Sequence, residues 1–260
     1  MTAEMSPGAE PLAAELGKAI EQNRLALYYQ PVVSLVDRVA SEVEALLRWP
    51  RNGRQILAPP DFISIAKQFG LLPELERWAI DAAFDQMAHW QRATDLDVAL
   101  NVSEEHTFGE NLPEEIRRLS ETHSVDPGRL SLEIAESSIP EPGDSRLNRF
   151  SELRELGVCL TIDDYSGEVS PERIDELPVK SLKISRRITA GIPDGERQTE
   201  IAASALALAE QLDVKVIANG IESPGQLAAL RDMGCRYGQG FLFSIPMPAN
   251  VLAQRAMPRR

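Results

Sequence analysis

The chain has 260 residues, enough for one large core, and its 40 Asp and Glu against 27 Lys and Arg leave a formal charge of −13 at pH 7. An acidic excess of this size opposes general binding of DNA or RNA, which rests on neutralising phosphates with Lys and Arg. No apolar run approaches the roughly 18 residues that span a bilayer, and Met1–Pro11 lacks a basic segment followed by an apolar one, so the expectation is a soluble, cytoplasmic protein with neither membrane nor nucleic acid as partner.

Residues 1–10 are small and polar with Pro and Gly, as in a flexible tail, and residues 11–260 read as one domain. Leu12, Leu16 and Ile20 recur every four residues and predict a short amphipathic helix from Pro11 to Gln22. Leu25–Leu35 reads as a strand carrying Tyr28, Tyr29, Gln30 and Pro31. The turn at Val36–Arg38 is short enough to make the next strand, Val39–Leu47, antiparallel to it. Glu44 inside that apolar run and Arg48 just beyond it would be costly in a core. They fit either a solvated edge closed by a salt bridge or a pair facing a ligand.

Asn52-Gly53 is a turn signal, and Pro59-Pro60-Asp61 opens a helix with Phe62, Ile65, Ala66 and Phe69 on its apolar face, ended by Gly70. A longer helix follows from Pro73 to Arg92. Thereafter helices near Glu114–Thr122, Ser145–Leu156, Gln198–Leu212 and Gln226–Met233 alternate with short apolar strands. Such alternation calls for a parallel sheet with crossover helices.

Each of these strands stops on a polar group. Asp97–Leu100 ends on Asn101, Leu130–Leu132 on Glu133, Val158–Ile162 on Asp163 and Asp164, Val179–Leu182 on Lys183, and Val214–Ala218 on Asn219. In a parallel barrel of about 250 residues all such ends point into one mouth, where active sites of this architecture sit. Adjacent carboxylates at a buried strand end must be paired or bind metal, so the pattern predicts a metal site at the mouth. Cys159 and Cys235 lack a CxxC spacing and read as reduced core thiols. His89, His106 and His123 lack zinc-like spacing and read as surface or helix-end residues.

From Leu27 to Pro248 an ordered set of motifs resembles the EAL domain family, the bacterial phosphodiesterases and receptors of cyclic di-GMP. The set comprises Tyr29-Gln30-Pro31, Glu44-Ala45-Leu46-Leu47-Arg48-Trp49, Leu100-Asn101-Val102-Ser103, Leu132-Glu133-Ile134-Ala135-Glu136-Ser137, Asp163-Asp164, Leu182-Lys183-Ile184 and Gln239-Gly240-Phe241-Leu242-Phe243. The resemblance implies a single TIM-like (β/α)8 barrel of α/β class with an antiparallel first strand, and Mg²⁺ or Mn²⁺ at its mouth. By motif, Glu44, Asn101, Glu133 and Asp163 match the ligands of a first metal, and Asp163 and Asp164 would reach a second. Two such metals activate a water and clamp the phosphodiester oxygens, opening cyclic di-GMP to the linear dinucleotide. Lys183 would hold the water, stabilise phosphoryl charge or neutralise the carboxylates. Gln30, Leu46, Arg48 and Gln239 match ligand contacts, Arg48 being suited to a phosphate oxygen. Glu136 matches the anchor of the loop that couples ligand and metal binding to dimerisation, and a homodimer is implied.

Three departures stand against hydrolysis. The family's AEGVE reads Ala218-Asn219-Gly220-Ile221-Glu222, so an amide that cannot take a proton replaces a second-metal ligand and candidate base. KID reads Lys183-Ile184-Ser185. The glycine-rich loop after the aspartates is shorter and carries Glu168 and Pro171 at permissive positions, which predicts that Glu136 has lost the loop it should hold. The expectation is a degenerate domain that binds cyclic di-GMP, a protein partner or both, with little or no hydrolysis. The alternatives are an active metal-dependent phosphodiesterase and a nucleotide-independent interaction module.

Overall fold

Apolar and polar side chains alternate along the central strands, and the structure turns that alternation into an outside and an inside. This computed structural model describes residues 9–256 apart from 52–54, 92–93, 95, 110 and 142. In chain order it comprises α1 (Ala9–Glu21), β1 (Ala26–Ser34), β2 (Ala40–Pro50), β3 (Ile56–Leu57), α2 (Ile63–Gln68), α3 (Leu72–Trp90), β4 (Asp97–Asn101), α4 (Glu104–Thr107) and α5 (Leu112–His123). There follow β5 (Leu130–Ala135), α6 (Leu147–Glu155), β6 (Cys159–Tyr165), α7 (Pro171–Asp175), β7 (Val179–Ile184), α8 (Arg186–Gly191) and α9 (Glu196–Leu212). The chain finishes with β8 (Lys215–Asn219), α10 (Pro224–Asp232), β9 (Tyr237–Gln239), β10 (Met247–Pro248) and α11 (Ala249–Ala256).

Strands β1, β2, β4, β5, β6, β7, β8 and β9 pair in that order, and β9 returns to β1 to close a barrel. From β2 to β9 the barrel neighbours are parallel, whereas β1 is antiparallel to both β2 and β9, as the tight turn after it requires. Leu132, Ile134, Leu160, Ile162, Leu182 and Ile184 are fully or almost fully buried and belong to the shared core between barrel and helices. Among the described residues no helix is long and apolar enough to cross a membrane.

Several boundaries differ from the sequence reading. Helix α1 already includes Ala9 and Glu10. Strand β2 continues past Leu47 to Pro50, which carries Arg48 along the same strand as Glu44. Pro59–Asp61 forms a 3-10 turn rather than the start of one helix, because Asp61 N–H and Phe62 N–H bond Ala58 O and Pro59 O at 2.9 and 3.1 Å. Gly70, at φ +70°, ends the short α2 in the left-handed conformation expected there. The predicted turn at Asn52-Gly53 and the helix end at Arg92 lie outside the described residues.

The barrel interior is polar below its mouth. Ser131 and Thr161 share a 2.9 Å hydrogen bond, and Lys180 pairs with Asp97. Glu42 is 1% exposed, and its Oε1 has no partner among the described residues. Burial pushes the Glu42 carboxyl above its usual 4.5, although Lys215, Lys180 and Lys183 pull it down. A carboxyl raised in the folded state binds its proton more tightly there, so its contribution to stability falls as pH rises above the usual value. Glu42→Gln should therefore flatten that fall and leave the protein at least as stable at neutral pH, as read from urea midpoints across a pH series; a loss of stability at pH 7 would contradict it.

Candidate metal and ligand site

Period 2 brings one inward residue from each of several strands to the same end of the barrel. From β7, the Lys183 ammonium donates to Glu44 Oε2 at 2.8 Å and to both carboxylate oxygens of Glu133 at 2.8 Å. Those acceptors stand on β2 and β5, so these contacts cross the interior. Asn101 Nδ2, from β4, donates to Glu44 Oε1 at 2.8 Å. Gln239 Nε2, from β9, reaches Glu44 Oε2 at 2.6 Å and Gln30 Oε1 at 2.9 Å, while Gln30 Nε2 donates to Ser244 O at 2.8 Å. Asp163, from β6, points a buried Oδ1 that has no partner among the described residues.

Two carboxylates thus share one ammonium, and the charge of Asp163 acts on it without a direct contact. Burial alone would lower the Lys183 pKa, but Glu133, Glu44 and Asp163 together hold it well above the usual lysine value. Burial pushes Glu133 well up, reinforced by the Glu44 charge, and pushes Asp163 up against the pull of Lys183. Burial acts on Glu44 in the same sense, but Lys183 and the donors Gln239 and Asn101 outweigh it and hold Glu44 down.

Among the described residues no three of the acids, His or Cys are arranged to hold a metal ion as they stand, but Glu44, Asn101, Glu133 and Asp163 carry hard oxygens of the kind Mg²⁺ or Mn²⁺ takes, and the orphaned Asp163 Oδ1 could serve such an ion. The Lys183 ammonium is already a stand-in cation between two of them. Because burial raises Glu133 and Asp163, a divalent ion bound by these groups would compete with protons for their oxygens. Apparent Mn²⁺ affinity, measured by calorimetry, should therefore strengthen roughly tenfold or more between about pH 5 and about pH 8. An affinity independent of pH would contradict this.

Beside the carboxylates opens a cleft of about 680 Å³, lined by Gln30, Leu46, Arg48, Pro59, Arg186, Asn219, Glu222 and Phe241 among others. Arg48 does not pair with Glu44; its Nη1 donates to Leu47 O at 2.7 Å, and its guanidinium lies 5.6 Å from the Tyr28 ring centroid. Glu44 is itself buried, so the two do not form a solvated edge bridge. Arg186 pairs with Glu222 at 2.5 Å and lies 5.9 Å from the centroid of the exposed Phe241 ring. Asn219 ends β8 opposite Gln239 and lines the cleft. Ser185 is buried just past β7, and Asp164 is exposed at φ 52°.

One expectation is corrected and another is narrowed. Glu136 has not lost its loop: one oxygen accepts from Ser166 N–H at 2.7 Å and Ser166 Oγ at 2.8 Å, the other from Glu168 and Val169 N–H at 2.8 and 3.0 Å. Three of these donors are backbone amides, which Glu168 and Val169 supply as well as glycine would. His106 lies in the last turn of α4, which matches the helix-end alternative, while its side chain, 8% exposed between Glu76 and Glu115, excludes the surface one. Arg186, Glu222, Phe241 and Glu76 were missed as cleft residues. Glu76 had a signal, being a charge at a position that the apolar face of α3 should occupy.

A parallel-stranded barrel with one reversed strand, gathering acids, amides and a lysine at the strand ends, defines a TIM-like protein with its site at the C-terminal mouth. The chain belongs to the EAL domain family, whose profile matches residues 13–246. It is 35% identical over 243 residues to cyclic di-GMP phosphodiesterase NbdA of Pseudomonas aeruginosa, covering 92% of this chain and 31% of that protein. It is 32% identical over 244 residues to the bifunctional diguanylate cyclase/cyclic di-GMP phosphodiesterase MucR of the same organism, covering 93% and 36%. The chain thus spans about a third of the length of these curated relatives. Among solved structures, the PaMucR phosphodiesterase in complex with c-di-GMP superposes with a TM-score of 0.87 at 32% identity, covering 93% of this chain and 99% of that one. The FimX EAL domain of Xanthomonas citri, at 22% identity and TM-score 0.84, shares the fold.

Proposed function

We propose that this domain binds cyclic di-GMP in the cleft, with Mg²⁺ or Mn²⁺ at the strand ends, and cleaves it slowly or not at all, passing the bound state to a protein partner. The observation that carries this reading is Asn219, which ends β8 and lines the cleft where the family motif has a glutamate. An amide can neither take the proton of an attacking water nor supply anionic charge to a second metal. Loss of a general base costs about 10²- to 10⁴-fold in rate. Ser185, in place of the motif's aspartate, removes a supporting carboxylate, a loss worth about 10- to 100-fold in metal affinity or activity. Gln30, Leu46, Arg48 and Gln239 retain the ligand contacts, and Glu44, Asn101, Glu133 and Asp163 retain the first metal's ligands.

A second reading, an active phosphodiesterase, is favoured by the intact grip of Glu136 on the loop after the aspartates. In that case Asp164 takes over as base and Lys183 holds the water. Calorimetric titration of cyclic di-GMP with Mn²⁺, followed by chromatography of the same sample, separates the readings. Binding with the cyclic dinucleotide recovered uncut is expected; efficient conversion to the linear dinucleotide would establish the second reading. Absence of binding by a folded protein would overturn both in favour of a nucleotide-independent module. Asn219→Glu combined with Ser185→Asp should raise hydrolysis by about 10²-fold or more, and no gain in linear product would refute the assignment of these two positions.

Self-association as a homodimer belongs to the same proposal. Sedimentation at micromolar concentration should find a dimer, and a monomer there would remove this part of it.

A further inference from the structure

Of the buried residues of α3, Glu76 alone is charged; it sits among Leu72, Leu75, Ala79 and Ile80. Its two oxygens both accept hydrogen bonds from a single residue outside that helix. Oε1 accepts from the Ser103 backbone N–H at 2.7 Å, and Oε2 accepts from Ser103 Oγ at 2.9 Å. Ser103 in turn starts α4, its Oγ accepting from His106 N–H at 3.2 Å and its carbonyl from Thr107 Oγ1 at 2.8 Å. His106 backs the clamp from behind, with Nδ1 3.5 Å from Glu76 Oε2 and Nε2 3.5 Å from Glu115 Oε2. The three side chains are only 8 to 12% exposed.

The residue that this clamp serves lies two positions earlier. Asn101 ends β4, and its side chain meets the metal cluster through a single bond to Glu44. Between the two, Val102 N–H donates to Glu133 O at 3.0 Å. The turn Asn101-Val102-Ser103 is therefore tied on one side to β5 and on the other to α3, and Glu76 supplies the second tie. A carboxylate suits that task because both of its oxygens accept, matching an N–H and an O–H from one residue; an amide offers one acceptor and one donor.

We propose that Glu76 is a positioning residue for the divalent-ion site, holding Ser103 so that the Asn101 amide stands where it can complete the donor set with Glu44. This rests on the reading of that donor set as a metal site. Outer groups that orient metal ligands typically change metal affinity by about 10- to 100-fold when removed.

The test is Mn²⁺ affinity by calorimetry on wild type, Glu76→Gln, Ser103→Ala and the double variant, each first checked for folding by thermal unfolding. Either single variant should weaken Mn²⁺ binding by about tenfold. The double variant should lose no more than the weaker-binding single variant, since both remove one clamp. In an Asn101→Ala background, Glu76→Gln should then leave Mn²⁺ affinity unchanged, which a general loosening of the fold would not do. If Glu76→Gln fails to fold, Ser103→Ala alone and in the Asn101→Ala background carries the same comparison. Folded single variants that bind as wild type, or an equal loss with and without Asn101, would overturn the inference and leave the metal reading standing. A wild type that takes up no Mn²⁺ would overturn the metal reading and this inference with it.

Discussion

The Lys183 ammonium, held between Glu44 and Glu133 at 2.8 Å from each, is the contact on which the mouth of this barrel depends. Glu44 and Glu133, 7% and 2% exposed, could not be brought together with the partly buried Asp163 nearby without a cation among them. A buried ion cluster of this kind adds little net to folding, since desolvating each charge offsets much of the attraction. Its value lies in where it places the oxygens. Glu44 is the hub, sharing its two oxygens among Lys183, Asn101 and Gln239, and Gln239 ties that hub to Gln30 on the reversed strand.

Two loops meet this hub under different rules. The segment after Asp164 hangs from Glu136 by backbone amides, so its composition can drift while its attachment persists. The end of β8 has no such freedom. On the proposed reading the group that matters at Asn219 is the side chain itself, and exchanging an oxygen for an NH₂ would change the chemistry without moving the backbone. A substitution of that kind would leave the shape of the site intact while altering what it can do.

This division explains what could be read from the sequence. The barrel and the gathering of Asn101, Glu133, Asp163 and Lys183 at one end follow from a local pattern, an apolar strand stopping on a polar residue; the antiparallel first strand follows from the tight turn at Val36–Arg38, and the place of Glu44 inside its strand was legible only through the family resemblance. The grip of Glu136 could not be read, because its donors are main-chain groups that no residue type announces. The burial of His106 depends on Glu76 and Glu115 arriving from two other helices, a tertiary event that spacing along the chain does not encode. Glu76 itself was legible in part as a charge on an apolar helix face, but its partner lies 27 residues away.

The reversed direction of β1 has a spatial consequence. Because Ala26 lies opposite Arg48 and Gln30 opposite Glu44, the strand enters the barrel at the mouth and leaves at the floor. Helix α1, which leads into it, is fastened beside that mouth by the Glu15 carboxylate on Arg51, at 2.5 and 3.0 Å. Only a few residues of strand separate α1 from Gln30 and the Gln239 amide bonded to it. The leading helix therefore sits on the same side as the site, whereas in a barrel whose strands all run alike the entering chain would meet the opposite end.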